Sequence, residues 1–195
     1  MDPINILFGV ALFVSMAANF SGSKKGMKGK VVNVSKRPKS YLQKVPLNVS
    51  ALIIIFEILG VFSIGTLDYK AYDNYNFIRI IGLVMFVVFS WLQTVSFKTL
   101  GEYYSTEVAV YKSHRLITSG IYKSVRHPQY LFQVLSDIGA GLALLSFLVL
   151  PAVIFILLPL FILRAKLEDN LLSEVFNKDW DEYKKGSGFF LPFLG

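Results

Sequence analysis

The sequence predicts an all-α integral membrane protein with five transmembrane helices, the last two forming a tight helical hairpin. Three observations carry this. Of its 195 residues 54% are hydrophobic, and the mean hydropathy is +0.53. Apolar runs recur at the length a bilayer requires, and basic residues gather between alternate runs. A soluble domain of this size is less apolar, and a spanning helix takes about 20 mostly apolar residues.

Ile4 to Phe20, Leu47 to Thr66 and Phe77 to Phe97 supply the first three spans, and a longer block runs from Tyr130 to Leu163. At about 1.5 Å per residue, a helix from Pro128 to Arg164 would reach roughly 55 Å across a hydrocarbon core of about 30 Å. The block must therefore turn back, and Ser146 to Pro151 is the place. Pro151 suits the first turn of a new helix, where its missing N–H leaves no bond unmade. Charge agrees. Lys24, Lys25, Lys28, Lys30, Lys36, Arg37, Lys39 and Lys44 separate spans one and two with no acid among them, whereas Leu67 to Asn76 sets Lys70 against Asp68 and Asp73. Lys98 to Gln129 is basic again, as is the tail after Arg164. Because Lys and Arg concentrate on the cytoplasmic side, this alternation works with five crossings, the N-terminus outside and the C-terminus in the cytoplasm.

Met1 to Phe20 carries Asp2 and no basic leader, so it reads as a retained anchor rather than a signal peptide. The absence of cysteine excludes disulfides, thiolate zinc sites, iron–sulfur clusters and cysteine nucleophiles, and no metal site is expected. The net charge of +7 follows from topology and from the first basic loop, whose side chains each gain about 1 kcal/mol beside anionic headgroups. Nucleic acid is not needed to explain it. Gly22 to Lys30 reads as a flexible loop. Residues 1–97 form a three-span scaffold and 98–195 a catalytic half, together one structural unit.

The tail after Arg164 continues as an amphipathic helix: Leu167, Leu171, Leu172, Val175 and Phe176 recur at three and four, while Asp169, Lys178, Asp179, Asp181 and Lys184 fall elsewhere. Gly186 and Gly188 end it. Phe189 to Leu194, with Pro192, either packs back onto the protein or dips into the interface.

Chemistry concentrates in a polar island from His114 to Tyr130. Pro128 begins the fourth span, leaving free backbone N–H groups where an anion would bind readily. The plainer alternative is that Arg126 snorkels to headgroups and His127 caps the helix. Arg164 and Glu168, four residues apart, share one helix face. Glu57 and Asp137 lie inside spans, in structural roles or lining a pathway. Gly139-Ala140-Gly141 reads as close helix packing, since no G-x-G-x-x-G follows a strand-like run.

The order Thr118, Gly120, Tyr122, Arg126-His127-Pro128 and Tyr130, followed by Arg164, Glu168-Asp169, Leu172, Phe176 and Tyr183, resembles the isoprenylcysteine carboxyl methyltransferases and the related membrane phospholipid methyltransferases. These share G-x-Y-x-x-x-R-H-P-x-Y, then R-x-x-x-E-E-x-x-L and F-G-x-x-Y-x-x-Y. The likeness runs from Leu100 to Gly195; the first half is similar only in topology. Three positions depart: Asp169 replaces the second glutamate, Asn177 the glycine and Trp180 the first tyrosine of the last pair.

The resemblance implies an integral membrane methyltransferase that uses S-adenosylmethionine, releases S-adenosylhomocysteine and methyl-esterifies the C-terminal carboxylate of a prenylated cysteine. It also implies a cytoplasmic cofactor pocket closed by the C-terminal helix, with a lipophilic, prenylcysteine-like substrate entering from the bilayer between spans. By position, Glu107, His114, Arg115, Leu116, Ile117, Tyr122, His127, Pro128, Gln129, Tyr130 and Glu168 would contact the cofactor. Arg164 would hold the substrate carboxylate, and Arg164 and Glu168 would be the catalytic pair. A C-terminal carboxylate, with a pKa of about 3.5, needs no general base, so the site must chiefly supply alignment, worth roughly 7 to 11 kcal/mol. Arg164 can grip it through two parallel hydrogen bonds, and Tyr122 or Tyr130 can face the sulfonium. Three alternatives remain: N-methylation of a lipid amine, which needs a base such as His127 or Glu168; a nicotinamide-dependent membrane reductase; and a non-catalytic membrane scaffold or channel subunit.

Overall fold

The computed structural model describes residues 2–28, 34–68, 73–112, 114–192 and 194, without the side chains of 24–28 and 73. Lys30 and Lys70, and the side chains of Lys24, Lys25, Lys28 and Asp73, lie outside that description. The chain is mostly helical: α1 (Pro3–Lys28), α2 (Val45–Val61), α3 (Asn76–Leu100), α4 (Pro128–Ala143), α5 (Val149–Ala152), α6 (Leu158–Phe176) and α7 (Lys178–Gly186). Among the described residues, four segments are long and apolar enough to cross a membrane: Pro3–Ser23, Tyr41–Val61, Asn76–Tyr103 and Val149–Phe176. Phe13, Phe77, Trp91 and Phe155 project outward from them, as lipid-facing side chains do. The helix expected as the fourth span, α4, has 16 residues, about 24 Å of rise.

Two apolar clusters hold the helices together. Ile53, Val134, Val149, Val153, Leu157 and Phe161 join α2, α4 and the α5–α6 run. Phe8, Leu12, Phe86, Ala140, Ala143 and Leu144 join α1, α3 and α4. The α3–α4 approach depends on glycine: a Cβ at Gly139 would lie 2.6 Å from the Phe86 nitrogen, and one at Gly82 would lie 2.5 Å from the Ala143 nitrogen. Gly141 makes room for Leu150. The reading of Gly139-Ala140-Gly141 as a packing motif therefore matches the contacts.

Between Ala143 and Val149 the chain turns through Leu145, at φ 50. Ser146 Oγ accepts from the Leu148 and Val149 N–H groups (3.3 and 3.1 Å) and donates to the Gly65 carbonyl. Pro151 falls in the first turn of α5, as its missing N–H favours. Beyond α5 the winding loosens into a π-helical turn, Val153–Leu157. Pro159, in the first turn of α6, cannot donate into a regular ladder, which gives the loosening a physical cause.

Four features differ from the sequence reading. Gly22 to Lys30 reads as a flexible loop, but α1 continues as helix as far as Lys28. Span two was expected to reach Thr66, but α2 ends at Val61, where Ser63 (φ 62) and Gly65 (φ 73) reverse the chain. The single amphipathic tail helix is two helices, broken at Asn177. A short antiparallel ladder joins β1 (Val34–Lys36) to β2 (Val110–Tyr111); strands this short carry no readable alternation.

At the end of the bundle away from the polar island, Arg79 is buried. It grips both Asp2 carboxylate oxygens (2.6 and 3.1 Å), the Asn5 side chain and the Ala143 carbonyl, tying α1 and α4 to α3. Burial raises the Asp2 pKa, but the Arg79 guanidinium outweighs it and holds the carboxyl below its ordinary value.

Candidate active site

Two cavities meet on the side of the polar island. The larger encloses about 730 Å³, part of it open to solvent, and the smaller about 330 Å³. Both are lined by Ser105 and Gln129. Among the expected cofactor contacts, Glu107, His114, Arg115, Leu116, Ile117, Tyr122, His127, Gln129 and Glu168 line the larger cavity. Pro128 and Tyr130 do not. Pro128 is buried as the first residue of α4, and Tyr130, two residues further along that helix, lines the smaller cavity with Arg164. The lining of the larger cavity also includes Tyr103, Val108, Val110, Arg126, Leu171 and Trp180. Trp180 was noticed in the sequence only as a departure, yet it is 2% exposed, because an indole at this place in α7 closes the cavity wall.

Local folding explains the convergence. Arg126 and His127 enter α4 on a segment whose backbone pairs with the tail: Arg126 N–H donates to Gly188 O (2.8 Å), Gly188 N–H to Ser124 O (2.9 Å) and His127 N–H to Phe189 O (3.3 Å). Phe189 and Phe190 pack their rings around His127. The apolar terminus thus packs back onto the protein. Arg126 adds bonds to the Ser187 carbonyl (2.5 Å) and an ion pair with Asp169 (3.4 Å). The Tyr183 hydroxyl donates to the Tyr122 carbonyl (2.6 Å), so α7 is stitched to the polar island.

At the centre His127 lies between two carboxylates. Its Nε2 is 2.6 Å from Asp169 Oδ1 and its Nδ1 is 3.4 Å from Glu168 Oε2. Burial opposes the charged ring, but hydrogen bonds to Asp169 and Glu168 outweigh it and hold the His127 pKa above its ordinary value. In the charged form both nitrogens donate, one toward each carboxylate of the acidic pair.

Glu168 also accepts from the Tyr130 hydroxyl, which in turn accepts from Arg164 Nε at 2.8 Å. Glu168, Tyr130 and Arg164 thus form one string running from the larger cavity into the smaller. Arg164 is 1% exposed. Its Nη1 donates to the Leu42 and Gln43 carbonyls (2.7 and 3.1 Å) and its Nη2 to the Thr106 carbonyl (2.6 Å). A guanidinium has five N–H donors, so four are spent within the protein. The two-bond grip on a substrate carboxylate expected from sequence does not fit this arrangement; Arg164 can offer its charge and one remaining N–H.

Two buried polar atoms in the cavity lining, the Tyr122 hydroxyl and Gln129 Oε1, have no hydrogen-bond partner among the described residues. Such atoms are costly when left unpaired, and a polar ligand would satisfy them. Burial pushes the Tyr122 phenol well above its ordinary pKa, with Glu168 adding to the rise, and burial pushes Tyr104 up to about 12. Both remain hydroxyl donors at neutral pH.

Comparison with known proteins gives a consistent picture. Residues 80–174 match the sequence model of the isoprenylcysteine carboxyl methyltransferase (ICMT) family. The chain is 32% identical over 117 residues to the protein-S-isoprenylcysteine O-methyltransferase of Saccharomyces cerevisiae, covering 59% of this chain and 49% of that protein. It is 30% identical over 135 residues to the enzyme of that name from Xenopus laevis, covering 68% and 47% respectively. The chain therefore spans about half the length of these relatives. In fold it is similar to a eukaryotic intramembrane Ras methyltransferase, ICMT, with a TM-score of 0.61 at 22% identity, over 100% of this chain and 69% of that one.

Proposed function

Since residues 80–174 match the sequence model of the isoprenylcysteine carboxyl methyltransferase family, we propose that this chain is an integral membrane, S-adenosylmethionine-dependent methyltransferase that esterifies the C-terminal carboxylate of a prenylated cysteine. One observation carries the reading: the larger cavity, lined by nine of the expected cofactor contacts, adjoins a smaller one holding Arg164 and Tyr130, and the two share Ser105 and Gln129.

The larger cavity is lined by both polar and apolar side chains, and the unpaired Tyr122 hydroxyl and Gln129 Oε1 fit a ligand rich in polar groups. S-adenosylmethionine, when bound there, supplies a methyl group on a positively charged sulfur that an ionised carboxylate can take without a base. Glu168 and Glu107 are the two carboxylates of a lining that also carries Arg115, Arg126 and His127, and His114 to Ile117 and Tyr122 give it walls. Arg164 orients the acceptor carboxylate by its charge and its remaining N–H, while the rest of its donors fix the site around it.

The state of His127 favours the carboxylate over a lipid amine. An amine must lose a proton before it attacks, and His127, whose two ring nitrogens already face Glu168 and Asp169, is poorly placed to take one. The phenols, with raised pKa values, are no better. A carboxylate acceptor asks for neither.

We further propose that α4 makes a fifth, short crossing, that α4 and the α5–α6 run form the membrane hairpin, and that α7 closes the cofactor pocket. The N-terminus then lies outside, and the site and C-terminus lie in the cytoplasm. Residues 98–195 carry the catalytic groups.

Calorimetric binding of S-adenosylhomocysteine to the purified protein tests the reading. Micromolar binding is expected, lost on Glu168→Ala, with Arg164→Ala abolishing turnover while retaining more of the cofactor affinity. No binding by folded protein would return the question to the reductase or scaffold alternatives.

A further inference from the structure

The segment between α1 and α2 does more than link two spans. Gln43, at the end of a short 3₁₀ turn (Tyr41–Gln43), faces Val108 in the wall of the larger cavity. Its Nε2 donates to the Val108 carbonyl (2.8 Å), and its Oε1 accepts from the Val108 N–H (2.9 Å). One carboxamide thereby completes both backbone groups of a wall residue, as a neighbouring strand would. The ladder from β1 to β2 continues this grip two residues further on, and Arg37 pairs with Glu107 just before it. Nε2 also donates to the Pro38 carbonyl (3.1 Å), which pins the segment to itself.

The main chain of the same residue faces the other cavity. The Gln43 carbonyl, with that of Leu42, accepts from Arg164 Nη1. Gln43 therefore holds the larger cavity's wall with its side chain and the smaller cavity's cation with its backbone, although it comes from the half of the chain that the sequence marks as scaffold.

We propose that Gln43 is a positioning residue for the transfer reaction, setting the Val108 wall against the cofactor and Arg164 against the acceptor in one rigid unit. This rests on the methyltransferase reading above. The amide is specifically required, because it offers a donor and an acceptor side by side. An alanine offers neither, and an ionised glutamate offers only acceptors and sets a negative oxygen against the Val108 carbonyl. A protonated glutamate regains the donor.

The test is the affinity of the full-length, detergent-purified protein for S-adenosylhomocysteine, measured across pH for the unaltered chain, Gln43→Ala and Gln43→Glu. The expected result is a Kd about tenfold weaker for both variants at pH 8, a change of about 1.4 kcal/mol. As pH falls toward 5, Gln43→Glu should recover relative to the unaltered protein and Gln43→Ala should not. A residue that merely supported the fold would lower thermal stability without this pH-dependent recovery of affinity. Equal Kd values for all three proteins, or parallel pH profiles for the two variants, would overturn the inference while leaving the methyltransferase reading intact. Failure of the unaltered protein to bind would overturn both. Where Gln43→Ala does not fold, the pH series on Gln43→Glu against the unaltered protein decides alone.

Discussion

His127 is the residue on which pH should act most directly. Its pKa in the folded protein is raised above the ordinary value of about 6.5, so its favourable contribution is complete below that value and is lost as pH rises through the folded one. Thermal stability should therefore fall as pH rises from about 6.5 through the folded value, and His127→Gln should flatten that limb. Asn177 offers a second residue-scale expectation. At φ 46 and ψ −114 it occupies the mirror image of extended backbone, a region open to glycine and costing other residues about 1–3 kcal/mol. Asn177→Gly should raise stability by about 1 kcal/mol and Asn177→Ala should not, as denaturant or thermal unfolding would read. The family pattern carries glycine there, so the departure visible in the sequence has a backbone meaning. Other residue-scale facts were not legible. The four-residue spacing of Arg164 and Glu168 gave their shared face, but the Leu42, Gln43 and Thr106 carbonyls that occupy Arg164 belong to segments distant in sequence, and a backbone carbonyl has no signature at all.

At the scale of elements, the α3–α4 contact should be the least tolerant of added volume. A Cβ on Gly139 meets backbone atoms of α3 at 2.6 and 2.7 Å, and backbone cannot step aside as a side chain can. Gly139→Leu should separate the helices and cost about 1–3 kcal/mol or more, whereas Gly186→Ala, with nothing within 4 Å, should be neutral in the same unfolding assay. Hydropathy found α1, α2 and α3 because each is a long apolar run, and Pro128 marked the start of α4 because proline suits that position. It misplaced the end of α2, since Phe62 to Ile64 remain apolar through a turn made by backbone angles. It also ran α6 into α7, because the apolar spacing of three and four passes across Asn177 almost unbroken.

For the whole molecule, the membrane-facing exterior and the polar end were readable from composition and charge, but the way the two halves engage was not. The N-terminal half supplies the Arg79 bond to the Ala143 carbonyl at one end and the Gln43 contact with Val108 at the other. Both depend on pairings between distant segments, which no local pattern announces. The loosened turn from Val153 to Leu157 has a consequence for this engagement. A π-helical turn holds one residue more than regular winding allows, and each residue of an α-helix turns its successor by about 100°. That extra residue sets the phase between the buried face of α5, which packs into the bundle, and the face of α6 that carries Arg164 and Glu168. Deleting one residue here would restore ideal helix geometry and yet turn both groups away from the two cavities. The helix would be more regular and the chain worse, so this stretch should tolerate substitution far better than any change in length.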